Sequence, residues 1–378
     1  MQDYFTSRRN IKELSMGIKV AIVGSNGLSG GELCRLLLNH PQVDKIYPLA
    51  RKELDFDIVH PNLLGCGLRF YKQEELQEHL SQIDVVFFCT PTGEAMKSAS
   101  YFLSKNIKVI DLSADFRFPD AELYKQAHGQ EHEDLDNLSR AVYGVSEFNA
   151  DKLRQAQLIA NPGCYVITAL LGLAPLMGSA LVDAQSSIHI SAINGTSGAG
   201  ASLKPEVMHS YANNNILPYN LDGHRHAPEL EHQLSLLADQ SVNVVFSTAH
   251  GAFPRGIYIQ ASISVPEHVA NTLTREQLLK EYVEYYGKGA EGHYFVRILD
   301  HARVGKLNSK QYNIYPSVAR VAGSNFCHIG VDFDTQSNTI KVISVTDNLV
   351  KGAAGSAIQN MNLAFGFEEH LGLSQFGL

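Results

Sequence analysis

With 378 residues the chain is long enough for two domains, each with its own core. Its 44% hydrophobic and 19% charged content is that of a soluble globular protein, and a net charge of −8 argues against a general nucleic-acid binder while leaving room for a local cationic pocket. No apolar run approaches the roughly 20 residues of a membrane span, so no membrane partner is expected.

Residues 1–16 are polar and irregular and read as a disordered leader, with Met16 as an alternative start. Asp3 and Glu13 count against an organellar targeting peptide. Residues 18–23 form a short apolar run, predicted as a buried strand. Gly24, Ser25, Asn26, Gly27, Leu28, Ser29 and Gly30 follow at once, and residues 32–39 carry an apolar helical face. A second strand is predicted over 45–50, with Arg51 and Lys52 beyond it. A third covers 85–88 and runs into Cys89, Thr90 and Pro91. A helix over 94–104 and a strand over 109–112 complete the first half. Strands alternating with helices imply a parallel, doubly wound α/β sheet.

The pattern changes after Pro162. A helix is predicted from Val166 to Met177, then β-rich segments over 187–193, 242–247, 256–265 and 340–345 that alternate more clearly. They imply a mixed sheet in an α+β domain. Residues 350–365 are helical in pattern despite their glycines.

Glycines spaced GxxGxxG between a strand and a helix suit a pyrophosphate approaching the backbone amides at a helix N-terminus. A dinucleotide site for NAD would place an acid at the end of the second strand; Arg51 and Lys52 stand there instead and suit the 2′-phosphate of NADP. Asn161-Pro162-Gly163-Cys164 is turn chemistry before a helix, and a thiol at a helix N-terminus is expected to have a lowered pKa. A small core cysteine is the other reading of Cys164. The other cysteines, Cys34, Cys66, Cys89 and Cys327, form no CxxC pair and fit a reducing, cytoplasmic compartment. Sixteen histidines show no zinc spacing, so no metal is expected. The loop from Gly195 through Ser197, Gly198 and Gly200 is a candidate anion cradle. His224, Arg225 and His226, with His250 and Arg255 further on, suit proton transfer and carboxylate or phosphate binding.

Residues 24–30, Asp111-Leu112-Ser113-Ala114-Asp115-Phe116-Arg117, Asn161-Pro162-Gly163-Cys164-Tyr165, Ser197-Gly198-Ala199-Gly200, His224-Arg225-His226 and the tail from Asp347 to Gly355 resemble the N-acetyl-γ-glutamyl-phosphate reductases, of the aspartate-semialdehyde dehydrogenase superfamily. The resemblance runs from about Gly17 to near the C-terminus. It implies reduction of an acyl phosphate by NADPH to N-acetylglutamate 5-semialdehyde plus phosphate, in arginine biosynthesis. It implies Cys164 as nucleophile and His224 as acid/base. Ser197, Gly198, Arg117, Arg225, His226 and Arg255 would meet the substrate. Residues 24–28 and Gly30, with Arg51, Thr90, Pro91, Ser113, Gly198 and Asn348, would meet the cofactor. The sequence leaves Arg117 and Arg255 open between a substrate carboxylate and a structural ion pair. A Rossmann domain of 17–162 and 346–378 would enclose an oligomerising domain of 163–345 like that of glyceraldehyde-3-phosphate dehydrogenase, in a homodimer or homotetramer.

Two departures bear on the substrate. The family usually follows Ser-Gly-Ala-Gly with Arg, where this chain has Ala201 and, later, Lys204. The stretch from Ala249 to Pro254 is also looser than the family's Pro-His segment. Other acyl phosphates, aspartyl or carrier-bound aminoadipyl or glutamyl, are the neighbouring alternatives. A non-catalytic NADP sensor is the alternative of another class, disfavoured by Cys164 and His224 together.

Overall fold

The computed structural model describes residues 17–182, 186–287, 293–305 and 309–377, so the expected leader lies outside the described residues. Six parallel strands build the first sheet: β1 (Ile18–Val23), β2 (Val43–Leu49), β3 (Val85–Phe88), β4 (Lys108–Asp111), β5 (Val142–Tyr143) and β6 (Leu158–Ala160). Their order is β2-β1-β3-β4-β6-β5. The central strands are apolar on both faces because helices cover both, as a parallel sheet requires. The order in which strands are added reverses between β1 and β3, which opens a crevice beyond their carboxyl ends. The turns after β1, β3, β4 and β6 all emerge at that end.

The second sheet has seven strands: β7 (Ile188–Asn194), β8 (Ile216–Tyr219), β9 (Val244–Gly251), β10 (Ile257–Ser264), β11 (Val296–Ile298), β12 (Cys327–Asp334) and β13 (Thr339–Thr346). Their order is β11-β12-β13-β10-β7-β9-β8, with β7/β9 and β11/β12 parallel and the other pairs antiparallel. Alternation along β7 and β10 buries one face and exposes the other. The buried face packs on helices Cys164–Leu173, His226–Ala238 and Arg275–Tyr286. Tyr282 and Tyr286 donate to the Gly172 and Leu171 carbonyls at 2.7 and 2.6 Å, fastening two of those helices together.

After β13 the chain returns to the first sheet. Val350–Ala354 is a π-helical turn and Gly355–Ala364 an α-helix whose apolar side joins the core of the first sheet. The helix expected over 350–365 is therefore two kinds of helix. That expected over 94–104 begins only at Ala99. Asp115 accepts the amides of Gly93 and Met96 at 2.6 and 3.0 Å and holds the preceding segment in turns. Strands β5, β6, β8, β11 and β12 have no counterpart in the sequence expectations.

Candidate active site

The glycine turn lies where β1 meets the crevice. Gly24 has φ +80°, and a Cβ on it would stand 2.5 Å from the Cys89 carbonyl oxygen, so the turns after β1 and β3 touch only because the residue is glycine. A Cβ on Gly30 would stand 2.4 Å from the Ser25 Cα. Helix Leu28–Leu37 has no acid in its first turn and no side-chain cap on Gly27, which leaves its leading amides for an anion. The Thr90 hydroxyl is buried without a partner at the same crevice. These features fit a dinucleotide. Ser25 is buried beneath the turn, its hydroxyl bonded to the Leu49 carbonyl at 2.9 Å; Asn26 and Leu28 are exposed. Arg51, just past β2, is exposed and paired with Glu94. Ser113 serves its own loop, its hydroxyl and amide both bonded to Asp111 at 2.8 Å.

Cys164 is the first residue of its helix, directly after β6. Gly163 has an ordinary φ of −64°, so its role is close approach: a Cβ there would lie 2.7 Å from His226 Nε2 and 3.0 Å from the Arg117 guanidinium. The Gly163 amide donates to Glu229 Oε1 at 3.0 Å. The same oxygen accepts the Tyr143 hydroxyl at 2.7 Å, and Glu229 Oε2 pairs with Arg117 at 3.1 Å. Asn161 is turned away, into Ser356 and Asn360 of the return helix at 3.0 Å each. Behind the thiol, a Cβ on Gly352 of the π-turn would lie 2.9 Å from Cys164 Cβ. Asn194 Nδ2 points at Cys164 Sγ from 4.0 Å.

The expected lowering of the thiol pKa is corrected in the ligand-free chain. Burial pushes the Cys164 thiol above its ordinary value, against the opposing pull of Arg117, the Tyr165 amide and Arg225. Burial likewise holds both imidazoles neutral, with Arg225 adding to it: His224 is pushed down to about 4, and His226 falls well below its ordinary value. The two rings lie 4.9 Å apart, and both meet the ring of Tyr165. His224 Nδ1 accepts the His226 amide at 3.2 Å, which leaves the His224 proton on Nε2. His226 Nδ1 is buried without a partner. Arg225, between them, is exposed.

The loop after β7 does not act as the expected amide cradle. The amides of Gly195, Thr196, Ser197, Gly198 and Gly200 already donate to carbonyls, those of Gly256, Phe253, Pro254, Gly195 and Ser197, at 2.8–3.1 Å. The loop is a packed turn, and Gly198 is needed because a Cβ there would collide with the Asn194 amide. Asn348 is bonded at both ends of its side chain, accepting from the Gly256 amide at 2.7 Å and donating to Ser197 Oγ at 2.9 Å. Arg255 pairs with Glu32 at 2.7 Å and Asp347 at 2.9 Å, tying the nucleotide helix to the second sheet. Arg117 is enclosed by Glu229 and the carbonyls of Asn161 and Leu112. Both arginines therefore stand in structural ion pairs, the second of the two roles the sequence left open.

Glu229, Tyr143 and Asn194 were not singled out in the sequence. For Glu229 there was a faint signal, its place one helical turn after His226. Among the described residues no group of acids, histidines and cysteines is arranged to hold a metal, and no helix is long and apolar enough to cross a membrane.

Two family profiles match the chain: the semialdehyde dehydrogenase NAD binding domain over residues 19–156 and the semialdehyde dehydrogenase dimerisation domain over 164–348. An N-acetyl-gamma-glutamyl-phosphate reductase of Thermoanaerobacter sp. (strain X514) is 36% identical over 94% of this chain and 98% of its own. One of Pelotomaculum thermopropionicum is 38% identical over 96% and 99%. The crystal structure of aspartate semialdehyde dehydrogenase II from Vibrio cholerae superposes with a TM-score of 0.66 at 19% identity, covering 93% of this chain and 99% of that one. At that identity the likeness is one of fold.

Proposed function

The chain belongs to the semialdehyde dehydrogenase family, among its N-acetyl-gamma-glutamyl-phosphate reductases, and is an oxidoreductase with a nicotinamide dinucleotide domain; from this premise we propose that it reduces N-acetyl-γ-glutamyl phosphate through a thioester on Cys164, with NADPH as donor, as a step of arginine biosynthesis. The observation that carries the reading is the placement of Cys164 at the carboxyl end of β6, on the same edge of the sheet as the glycine turn, with His224 and His226 clustered around the ring of its neighbour Tyr165.

Attack by the Cys164 thiolate on the acyl carbon forms a C–S bond, and the C–O bond to phosphorus breaks, releasing inorganic phosphate. The substrate brings further negative charge to a site whose carboxylate, Glu229, is already paired with Arg117. A phosphate dianion beside His224 and Arg225 favours imidazolium, offsetting the burial that keeps the ring neutral. The exposed cations Arg225 and Lys204 support the phosphate in place of the amide cradle. When bound, the dinucleotide supplies a hydride to the thioester carbonyl carbon. Asn194 Nδ2, aimed at the sulfur, stands ready for the oxyanion that develops next to it. His224 then gives a proton to the thiohemiacetal oxygen and takes it back as the C–S bond breaks, freeing aldehyde and thiolate.

Residues 24–30 would hold the pyrophosphate and Thr90 would gain a partner for its orphaned hydroxyl. Arg51 and Lys52, beyond β2 where an NAD site would carry an acid, favour NADP; a 2′-phosphate would compete with Glu94 for Arg51. The exposed face of the second sheet, with Val245 among its polar residues, supports self-association through that sheet.

The test is phosphate-dependent reduction of NADP by N-acetylglutamate semialdehyde, followed by absorbance of the reduced cofactor. Cys164→Ser should abolish it. Undiminished turnover in that variant would remove the thioester from the mechanism, and a preference for NAD would remove the role given to Arg51.

A further inference from the structure

Beside the thiol, three adjacent strands of the second sheet send polar side chains from one face. Asn194 at the end of β7 and His250 in β9 are register partners in a parallel pair, so their side chains leave the sheet on the same side. Tyr219 of β8 pairs with Thr248, two residues before His250, and its ring stacks on the His250 ring with centroids 4.5 Å apart and planes 11° from parallel. Tyr219 is held in turn by its hydroxyl, 3.0 Å from that of Tyr165.

Asn194 and His250 are 2% and 8% exposed, yet Asn194 Oδ1 and His250 Nδ1 have no well-aligned hydrogen-bond partner, the imidazole meeting only the nearby backbone of Asn194 and Gly195. An unpaired buried polar atom is costly, and two on neighbouring strands beside a reacting thiol are placed to receive a ligand. Asn194 Oδ1 can only accept. His250 Nδ1 donates or accepts according to its tautomer. A secondary amide offers one N–H and one carbonyl oxygen and so satisfies both.

We propose that Asn194, Tyr219 and His250 form a subsite for the neutral amide of an N-acylated substrate, which makes His250 a specificity-determining residue; this rests on the acyl-phosphate reading above. The stacked Tyr219 fixes the imidazole plane, and Asn194 spans from the sulfur to the amide, which relates the position of the acyl carbon to that of the amide. A free α-ammonium fits poorly here. Lys204 acts electrostatically on His250, Arg225 lies at the same site, and the carboxylate of Glu229 is already occupied by Arg117, Tyr143 and the Gly163 amide. Acylation removes the positive charge that these cations would repel.

The experiment compares N-acetylglutamate semialdehyde with aspartate semialdehyde, each with phosphate and NADP. His250→Phe keeps a ring over Tyr219 and removes both nitrogens. It should raise KM for the acetylated substrate about tenfold or more, the worth of one buried hydrogen bond, with kcat and KM for NADP little changed. The acetylated-to-free-amine ratio of kcat/KM should fall by the same factor, and His250→Gln should recover part of it. An unchanged ratio, or a loss confined to kcat, overturns the subsite while leaving the thioester reading intact. Turnover of aspartate semialdehyde alone by the unaltered protein would overturn the substrate reading and the subsite with it. Should the Phe variant not fold, inhibition of the unaltered protein by N-acetylglutamate against glutamate decides: tighter inhibition by the acetylated ligand, about tenfold, supports the subsite, and equal inhibition overturns it.

Discussion

Glu229 accepts the Gly163 amide at 3.0 Å and with its other oxygen pairs with Arg117 at 3.1 Å, so one carboxylate of the histidine helix fastens the turn that presents Cys164. Both members of the ion pair are buried. Glu229→Gln keeps an acceptor for Gly163 but leaves the guanidinium uncompensated. Removing one partner of a buried pair costs about 3–5 kcal/mol, so the midpoint of chemical denaturation should fall by several kcal/mol equivalent. The kcat should fall as well, with KM for the dinucleotide little changed, because the nucleotide turn is not touched. A variant as stable as the parent would show that the pair adds nothing to the fold.

The raised Cys164 thiol makes a kinetic prediction. Alkylation of the ligand-free protein by iodoacetamide should be slow at neutral pH and still climbing above pH 9, because only the thiolate reacts and burial disfavours it. Arg225 is one of the groups pulling the pKa down, so Arg225→Ala should slow alkylation at pH 8. Subtracting the rate seen in Cys164→Ser isolates this thiol. Cys34, pushed up to about 12, and the half-buried Cys89 and buried Cys327, also raised, stay silent. A plateau below pH 8 would contradict the assignment of burial as the dominant influence.

What the sequence shows plainly is what local chemistry dictates. The turn after β1 is legible because Gly24 must adopt φ +80° and Gly30 must let Ser25 approach, both demands that only glycine meets. The cysteine turn is legible because Pro162 and Gly163 stand directly before an apolar helix. The partners that complete the site are remote: Glu229 lies 112 residues from Arg117, and Glu32 lies 223 from Arg255. A carboxylate on an apolar helix carries no mark of the guanidinium it will meet. The loop at 195–200 misleads for the same reason, since its glycines are explained by Asn194 and by carbonyls supplied from another strand. The lowered thiol pKa fails because the helix N-terminus is readable locally and the burial around it is not.

The π-turn explains a glycine that no turn requires. Gly352 faces the nucleophile, and a Cβ there would stand 2.9 Å from Cys164 Cβ, closer than such atoms pack. The Cys164 turn cannot retreat easily, because Glu229 holds Gly163 and Asn161 is bonded into the return helix. Nor can the π-turn, since Lys351 beside it is paired with Glu147 at 2.6 Å in full burial. Gly352→Ala should therefore move the sulfur. Overpacking of this kind costs about 1–3 kcal/mol, and a displaced nucleophile costs roughly 100-fold in kcat. Single-turnover kinetics would read it, and a variant with unaltered kcat would show that the turn yields instead.

Acid should destabilise this protein well above the range of carboxylate titration. His40, His60, His128, His132, His224, His226, His232, His250 and His328 are all held below their ordinary pKa, each chiefly by burial. The sign follows from proton counting. Below about pH 6.5 the unfolded chain protonates these rings and the folded chain does not, so the unfolded state binds more protons and stability falls as pH falls. The loss runs from about 6.5 down to about 4, where His224 and His328 charge in the folded state. Asp111, raised by burial and Asp115 to about 7, works in the opposite direction across this window, but as a single group against nine. Denaturant midpoints should therefore drop between pH 7 and pH 5. His226→Gln, which leaves the buried position unable to protonate in either state, should flatten that slope; a midpoint that holds steady or rises on acidification would mean that these imidazoles charge in place without unfolding the chain.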